Sequence, residues 1–220
     1  MNKILSSFLS FITTLLIPIA LTLLGIRILL TPLFPEIEYR TPNFPPDSYG
    51  FSQAEQLHWS KIAIEYLVND AGPEFLGNLQ FDDGSPLYKD REVSHMLDVK
   101  ILVQAVLKIW CAAIGILIAF GVWAKLGKWE QAYHRGLMRG GWLTLILTAL
   151  LAILASINFW EFFAQFHHLF FEGDTWIFLY SDTLIRLFPM RFWHDTFLME
   201  GVIVVGGGLA LALGLKPKAK

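Results

Sequence analysis

Two histidines, His95 and His167, are the side chains of this 220-residue chain best suited to acid and base chemistry. The ordinary pKa of histidine lies near neutral pH, so a pair can take a proton from one group and give one to another. His95 stands where a polar, acidic segment turns into a long apolar run, and His167 follows another apolar run. The sequence therefore indicates an acid and base site at a membrane boundary.

Other interpretations of the histidines stay open on the residues alone. Both could be interfacial residues that end helices without a catalytic role. A metal site is a second alternative, but no H-E-x-x-H or similar spacing supports it. Its ligands would be His95, Asp98, His167 and His168. Serine catalysis is disfavoured, because the chain has no G-x-S-x-G and Ser94 is only a sequence neighbour of His95.

The helices that must hold these residues are visible in the composition. Hydrophobic residues make up 55% of the chain and charged residues only 16%. Four apolar runs reach the roughly 20 residues that cross ~30 Å of hydrocarbon. We expect one all-α integral membrane domain over residues 1–220, with spans at about 4–34, 97–124, 141–163 and 197–215. The first run is expected to be an uncleaved helix, because it greatly exceeds the apolar region of a signal peptide.

The distribution of charge predicts the orientation. Between Glu36 and Glu92 there are eleven acidic residues and only four basic ones, whereas the loop between spans two and three is basic. Short basic loops stay in the cytoplasm. We therefore expect both termini inside, with Lys216, Lys218 and Lys220 adding to the C-terminal charge, and residues 35–94 and 164–196 outside.

The two outward segments have distinct patterns. Ser52 and Glu55 form a capping box that opens a helix in a small subdomain, within 35–94. From Phe159 to Phe197 there are 14 aromatic residues among 39, a density typical of the lipid headgroup region. Within this loop, Asp182 to Pro189 predicts a short amphipathic helix along the membrane surface.

The depths of the histidines follow from helix geometry. His167 is 26 residues beyond Gly141. If the third helix continues unbroken, that separation is a rise of ~39 Å at 1.5 Å per residue. This puts His167 at the outer interface, at the level of His95. On the second helix His95 and Asp98 share a face, while Lys100 lies on another.

Several function classes are disfavoured. The single cysteine, Cys111, lies within the second span, so it supplies neither a disulfide nor a thiolate metal site, and it is too deep to meet either histidine. No P-loop or dinucleotide fingerprint is present, and an acidic outward face does not suit nucleic acid. We expect no cofactor and no metal; the oligomeric state stays open.

Longer motifs resemble a known family. His95-Met-Leu-Asp98-Val-Lys100 is followed 72 residues later by His167 in Phe-His-His-Leu-Phe-Phe, then by Trp176 and by Asp182-Thr-Leu-Ile-Arg186-Leu-Phe-Pro. This pattern is similar to the bacterial four-helix membrane proteins that include the lipoprotein intramolecular transacylases. The resemblance covers nearly the whole chain.

The resemblance implies an activity. A transacylase of this family moves the sn-2 acyl chain of a diacylglyceryl-modified lipoprotein to the α-amino group of its N-terminal cysteine, giving the lyso-form. The family's essential histidine pair matches His95 and His167, and its members lie in the plasma membrane with the active site at the outer face. His168 is an alternative to His167 if the helix is rotated, although the family pattern favours His167.

Three further residues are expected to support the pair. We assign Asp98 to orient His95, because a carboxylate can fix an imidazole tautomer. Lys100 or Arg186 would stabilise the tetrahedral oxyanion or hold a polar head. The partners implied are a diacylated lipoprotein and membrane lipid. The alternatives are a non-catalytic lipid- or partner-binding protein, and a phospholipid acyltransferase or esterase.

Overall fold

The computed structural model describes residues 2–214, and within that range the regular structure is helical. The helices, in chain order, are α1 (Lys3–Leu29), α2 (Leu33–Glu38), α3 (Gln53–Val68), α4 (Glu74–Gly77), α5 (Asp90–Leu126), α6 (Glu130–Ile157), α7 (Phe159–Phe170), α8 (Thr183–Leu187) and α9 (Met190–Gly214). Four of these, α1, α5, α6 and α9, are long and apolar enough to cross a membrane. The protein is an all-α, multi-pass membrane protein, as predicted.

The helices α5, α6 and α9 begin before the apolar runs that predicted them, whereas α1 ends at Leu29, short of the predicted residue 34. The second long helix begins at Asp90 rather than near residue 97, and the third begins at Glu130 rather than at residue 141. The physical reason is that backbone hydrogen bonding continues through polar turns that hydropathy does not register. The lysines Lys216, Lys218 and Lys220, which contributed to the predicted orientation, lie outside the described residues.

The prediction that the third helix continues unbroken to His167 is wrong. It ends at Ile157, and Asn158 has an extended backbone (φ −156°, ψ 99°) before α7 begins. The Asn158 side chain accepts a hydrogen bond from the backbone N–H of Glu161 at 3.1 Å, which makes it the N-cap of α7. The height of His167 therefore cannot be obtained from the rise of a single helix.

The chain divides into two compact units, each built from separate segments. Among the described residues, the first comprises 2–26, 106–157 and 199–214. Its helices approach closely where α6 presents glycine: a Cβ on Gly136 would meet the Thr13 side chain at 2.8 Å, and one on Gly140 would meet Ile17 at 2.6 Å. Small residues at such contacts allow helix backbones to pack tightly in lipid.

The second unit comprises residues 27–105 and 158–198, and it holds both candidate histidines. The predicted capping box is confirmed, since Ser52 and Glu55 bond reciprocally at the start of α3. The predicted short helix is confirmed as α8, and two of its apolar side chains, Leu184 and Leu187, are buried. The Gln56 side chain of α3 donates to the carbonyl of Arg186 at 2.9 Å, which fixes α8 against α3.

Candidate active site

His95 lies in the second turn of α5, and its side chain is only 8% exposed. The preceding turn is closed by Glu92, whose carboxylate accepts a hydrogen bond from the backbone N–H of Lys89 at 2.9 Å. The other oxygen of Glu92 accepts from the backbone N–H of Leu184 at 2.8 Å. The start of α5 is thereby joined to the start of α8, so His95 projects from a fixed position.

His167 lies in the last turn of α7 and is also 8% exposed. Its Nδ1 is 2.8 Å from the carbonyl oxygen of Phe163, one turn earlier. A carbonyl only accepts, so Nδ1 carries the hydrogen and donates it. This bond leaves Nε2 of the neutral ring as the proton acceptor. The local helix geometry therefore presents His167 as a base.

The two histidine rings face each other. Their centroids are 6.5 Å apart and their planes differ by 25°. The side chains that surround the two histidines are aromatic. The edges of Phe171 and Phe178 contact His95 at centroid distances of 5.0 and 5.3 Å, and Trp176 lies 4.7 Å from His167. We call these five residues, His95, His167, Phe171, Trp176 and Phe178, the histidine cluster.

Burial also sets the charge state of His167. The burial of its ring among aromatic side chains lowers the pKa of His167 from its ordinary value of 6.5, because the charged imidazolium loses hydration. The hydrogen bond to the Phe163 carbonyl acts in the opposite direction and is outweighed. His167 is consequently neutral at pH 7, which is the form that a general base requires.

His168 differs sharply from its neighbour. Its side chain is exposed, and its ring meets the edge of Trp176 at 5.3 Å. Adjacent residues on a helix point about 100° apart, because 3.6 residues make one turn. The geometry thus brings His167, and not His168, against His95.

The structure does not bring Asp98 to His95 as expected. Asp98 is exposed, and among the described residues His95 Nδ1 is buried without a hydrogen-bond partner. The expected orientation of His95 by a carboxylate is therefore not formed. Side chains three residues apart lie on one broad face of a helix. The packing of neighbouring rings against His95 nevertheless decides which atoms meet.

Lys100 has a different role from the one expected. It is 5% exposed, and its ammonium donates to the Asn69 side chain at 2.9 Å and to the Ala71 carbonyl at 2.5 Å. The same ammonium lies 4.1 Å from the centroid of the Tyr66 ring. Lys100 therefore fastens the end of α3 to α5, and its donors are occupied away from the histidine cluster.

Arg186 is likewise engaged in structural contacts. Its guanidinium pairs with Asp47 at 3.0 Å and donates to the Tyr49 carbonyl at 3.3 Å. It also stacks on the Phe51 ring at 3.6 Å. This arginine holds the segment before α3 against α8. The predicted oxyanion role for Lys100 or Arg186 is not supported by either geometry.

An ionic network, which was not predicted from the sequence, positions the cluster. The Asp182 carboxylate is fully buried and pairs with Lys89 at 2.6 Å and with Arg91. Arg91 in turn lies 5.5 Å from the ring centroid of Phe178, which contacts His95. Arg91 and His95 are four residues apart on α5 and so share a face. The spacing of Arg91 and His95 is visible in the sequence. The pairing of Asp182 with Lys89 and Arg91 is visible only in the folded chain.

The alternative metal site has no support in the geometry of the described residues. Across residues 2–214, no group of three or more histidine, cysteine, aspartate or glutamate side chains is arranged to hold a metal ion. The histidine cluster instead combines two imidazoles with apolar walls. Such a site can move protons between groups of a bound substrate in surroundings largely shielded from water.

Comparisons with known proteins agree with this architecture. A family model described as lipoprotein intramolecular transacylase Lit matches residues 6–193. A relative from Aquifex aeolicus (strain VF5), described as an uncharacterized protein, is 32% identical over 203 residues, which is 89% of this chain and 88% of the relative.

Solved structures show the same fold. The membrane integral lipoprotein intramolecular transacylase Lit from Bacillus cereus aligns with a TM-score of 0.78 at 20% identity, covering 96% of this chain and 94% of that chain. A variant of that protein with a histidine replaced by alanine aligns with a TM-score of 0.70 at 20% identity, covering 98% and 96%. Because the family model matches residues 6–193, this chain belongs to the lipoprotein intramolecular transacylase family.

Proposed function

We propose that this protein transfers the sn-2 acyl chain of a diacylglyceryl-modified lipoprotein to the α-amino group of the same molecule's N-terminal cysteine. The product is a lyso-form lipoprotein with an N-linked acyl chain. The observation that carries the proposal is the 6.5 Å approach of the His95 and His167 rings inside an aromatic enclosure. Family membership supports the choice of substrate, and the Bacillus cereus relative bears the name of this activity.

The chemistry requires one proton to be moved. The amine nitrogen forms a bond to the ester carbonyl carbon and loses a proton, and the bond from that carbon to the glycerol oxygen then breaks. The departing oxygen needs the proton that the amine released. His167 Nε2 is the acceptor left free by the Phe163 hydrogen bond, so we assign removal of the amine proton to His167. The His167 imidazolium then passes that proton to His95, whose ring faces it, and the His95 imidazolium delivers it to the departing glycerol oxygen. Both imidazoles end the cycle as they began.

Intramolecular transfer reduces the demand on the enzyme. The nucleophile and the ester belong to one substrate, so the protein need only hold a bent conformer in which they meet. An α-amino group has an ordinary pKa of about 8, so a fraction is already neutral at working pH. Proton transfer by positioned imidazoles then contributes about 10²–10⁴-fold in rate.

We also propose that the site faces the outer side of a bacterial plasma membrane and that both termini are cytoplasmic. The acidic bias of residues 36–92 and the basic loop after α5 support this orientation. Replacing Cys111 by alanine and introducing Asp174→Cys gives a single thiol, which lies in the outward segment 164–196. Labelling of intact cells by a membrane-impermeant maleimide is expected, and labelling only after lysis would contradict the orientation.

The decisive experiment uses mass spectrometry. A diacylated lipoprotein is coexpressed with this protein in a host that lacks N-acylating enzymes, and its N-terminal peptide is analysed. We expect an N-acyl, mono-O-acyl peptide with the parent protein and with the control variant His58→Ala, whose side chain is exposed on α3. His95→Ala and His167→Ala should leave the diacylglyceryl peptide unchanged.

Two outcomes would overturn the proposal. An unchanged peptide despite normal membrane expression of the parent protein would exclude this substrate. Retention of the product in both histidine variants would exclude the histidine mechanism. Release of free fatty acid in place of the N-acyl product would indicate an esterase.

A further inference from the structure

The proposed reaction produces a negative charge for which the structure must supply a donor. When the amine adds to the ester, the carbonyl oxygen becomes an oxyanion, and hydrogen-bond donors aimed at such an oxygen are usually a large part of catalysis. The cationic candidates from the sequence do not serve, because hydrogen bonds and an ion pair hold Lys100 and Arg186 against residues outside the histidine cluster. Within the histidine cluster, only the two histidines and Trp176 have side-chain N–H groups that could donate.

Trp176 provides an unused donor at this position. Its side chain is 7% exposed, and among the described residues its Nε1 is buried without a hydrogen-bond partner. Buried indole N–H groups usually find a partner, so an orphaned one needs a reason. The Trp176 ring lies 4.7 Å from that of His167, with the planes tilted by 31°. The indole that carries this unpartnered N–H therefore packs against the ring of the proposed base.

A neutral donor suits this particular site. A lysine or arginine beside His167 would disfavour its protonated form electrostatically and so weaken it as a base. An indole N–H donates without carrying a charge. It can therefore stabilise a negative oxygen while leaving the basicity of His167 largely intact.

The segment that carries Trp176 is fixed in place. The backbone N–H of Ile177 donates to the Asp174 carbonyl at 3.0 Å, forming a turn around Trp176. At the end of the segment, Asp182 accepts from the backbone N–H of Leu179 at 2.8 Å and is anchored by Lys89 at 2.6 Å. A donor held before the reaction costs no reorganisation during it.

We propose that Trp176 is a catalytic residue, which donates its indole N–H to the sn-2 ester carbonyl oxygen as that oxygen becomes an oxyanion. This inference rests on the proposed function. It assigns to a neutral aromatic residue the role that the sequence motifs suggested for a cation. The hydrogen bond forms with the substrate, which accounts for its absence within the protein itself.

The test separates the N–H from the shape of the ring. Site-specific replacement of Trp176 by β-(3-benzothienyl)alanine exchanges the N–H for sulfur and keeps a bicyclic ring of similar size. Trp176→Phe removes both the N–H and part of the ring. Trp129→Phe is the matched control, because the Trp129 indole nitrogen is also buried without a partner and its side chain is 5% exposed. Trp129 lies between α5 and α6, outside the histidine cluster.

Kinetics are measured with a synthetic diacylglyceryl lipopeptide in detergent micelles, by mass spectrometry of the N-acyl product. We expect kcat to fall about 10²–10³-fold in both Trp176 variants, with KM changed less than about threefold, as for loss of one oxyanion donor. The Trp129→Phe variant should keep kcat within about threefold, and thermal melting should confirm that each variant is folded.

The outcomes distinguish this inference from the proposed function. If the benzothienyl variant retains the parent kcat, the N–H is not a donor and the inference is overturned, even if Trp176→Phe is impaired. If the parent protein produces no N-acyl product, the proposed function fails. If the parent protein is active and loss of the N–H raises only KM, Trp176 positions the substrate and the catalytic assignment is wrong.

Discussion

The Nδ1 of His167 donates a hydrogen bond to the carbonyl oxygen of Phe163 across one turn of α7, at 2.8 Å. This bond defines the tautomer of the ring, with the hydrogen on Nδ1 and the lone pair on Nε2. It depends on helix geometry alone, because residues four apart in a helix lie one above the other. The proposed base is therefore oriented by its own backbone, without the carboxylate partner seen in many catalytic histidines.

We expect ¹⁵N spectra of histidine-labelled protein in detergent to show this tautomer for His167 at pH 7, with His167→Gln identifying the signal. Burial lowers the pKa of His167, so its titration midpoint should lie below 6.5. An unfolded chain then binds more protons than the folded one as pH falls below 6.5, so this group reduces stability on the acid side. A midpoint above 6.5, or a hydrogen on Nε2, would contradict the assignment.

His167 and His168 should differ in function despite being adjacent. His167→Ala is expected to lower the transacylation rate by about 10²–10⁴-fold, the usual contribution of acid–base catalysis. His168→Ala should retain activity within about threefold, because that side chain is exposed and does not meet His95. Product formation by purified variants gives the comparison. Equal losses in the two variants would show that the orientation of α7 is wrong.

The buried carboxylate of Asp182 should be important for stability. Burial favours its neutral form, but the hydrogen bonds from Lys89 and Leu179 and the charge of Arg91 outweigh it and lower the pKa of Asp182. Asp182→Asn should destabilise the fold by about 1–3 kcal/mol, roughly 3–10 °C in melting temperature. Because the folded pKa is lowered, this stabilisation is present above pH 3.8 and is lost as pH falls through the folded pKa.

The control for Asp182 is Asp174→Asn, at an exposed position of the same segment. Its melting temperature should match that of the parent protein in a thermal scan followed by tryptophan fluorescence. Equal melting temperatures for both variants and the parent would show that the Asp182 network contributes nothing to stability.

Glu38 should make stability depend on pH near neutrality. Its side chain is 3% exposed and faces the carboxyl of Asp195, which also bonds Arg191 and the Nδ1 of His194. Burial, together with Asp195, raises the pKa of Glu38 to about 7. The folded chain therefore keeps a proton that the unfolded chain loses above pH 4.5, so stability falls as pH rises from 4.5 through 7.

Glu38→Gln should remove this dependence, because an amide does not titrate. At pH 8 the variant is expected to melt about 2–4 °C above the parent, the shift that ~1 kcal/mol produces in a chain of this size. Glu65→Gln, at an exposed position of α3, is the control and should follow the parent profile. Parallel melting curves for parent and Glu38→Gln from pH 5 to 8 would refute the prediction.

The sequence by itself determined the number of long apolar helices, the capping box of α3 and the short helix α8. Each follows from local rules: hydrocarbon thickness sets the length of an apolar run, and a cap involves residues three apart. The identity of the two candidate histidines also came from the sequence, through motifs resembling a family.

Only the tertiary structure decided which atoms meet. Because the helix breaks at Asn158, the rise of α6 does not give the depth of His167. The packing of α7 places His167 toward His95 and His168 away from it. Lys100 and Arg186 had the charge that oxyanion stabilisation requires, but residues distant in sequence bind them away from the histidine cluster. Packing between distant segments selects these hydrogen-bond and ion-pair partners, so the spacing of residues along one helix does not predict them.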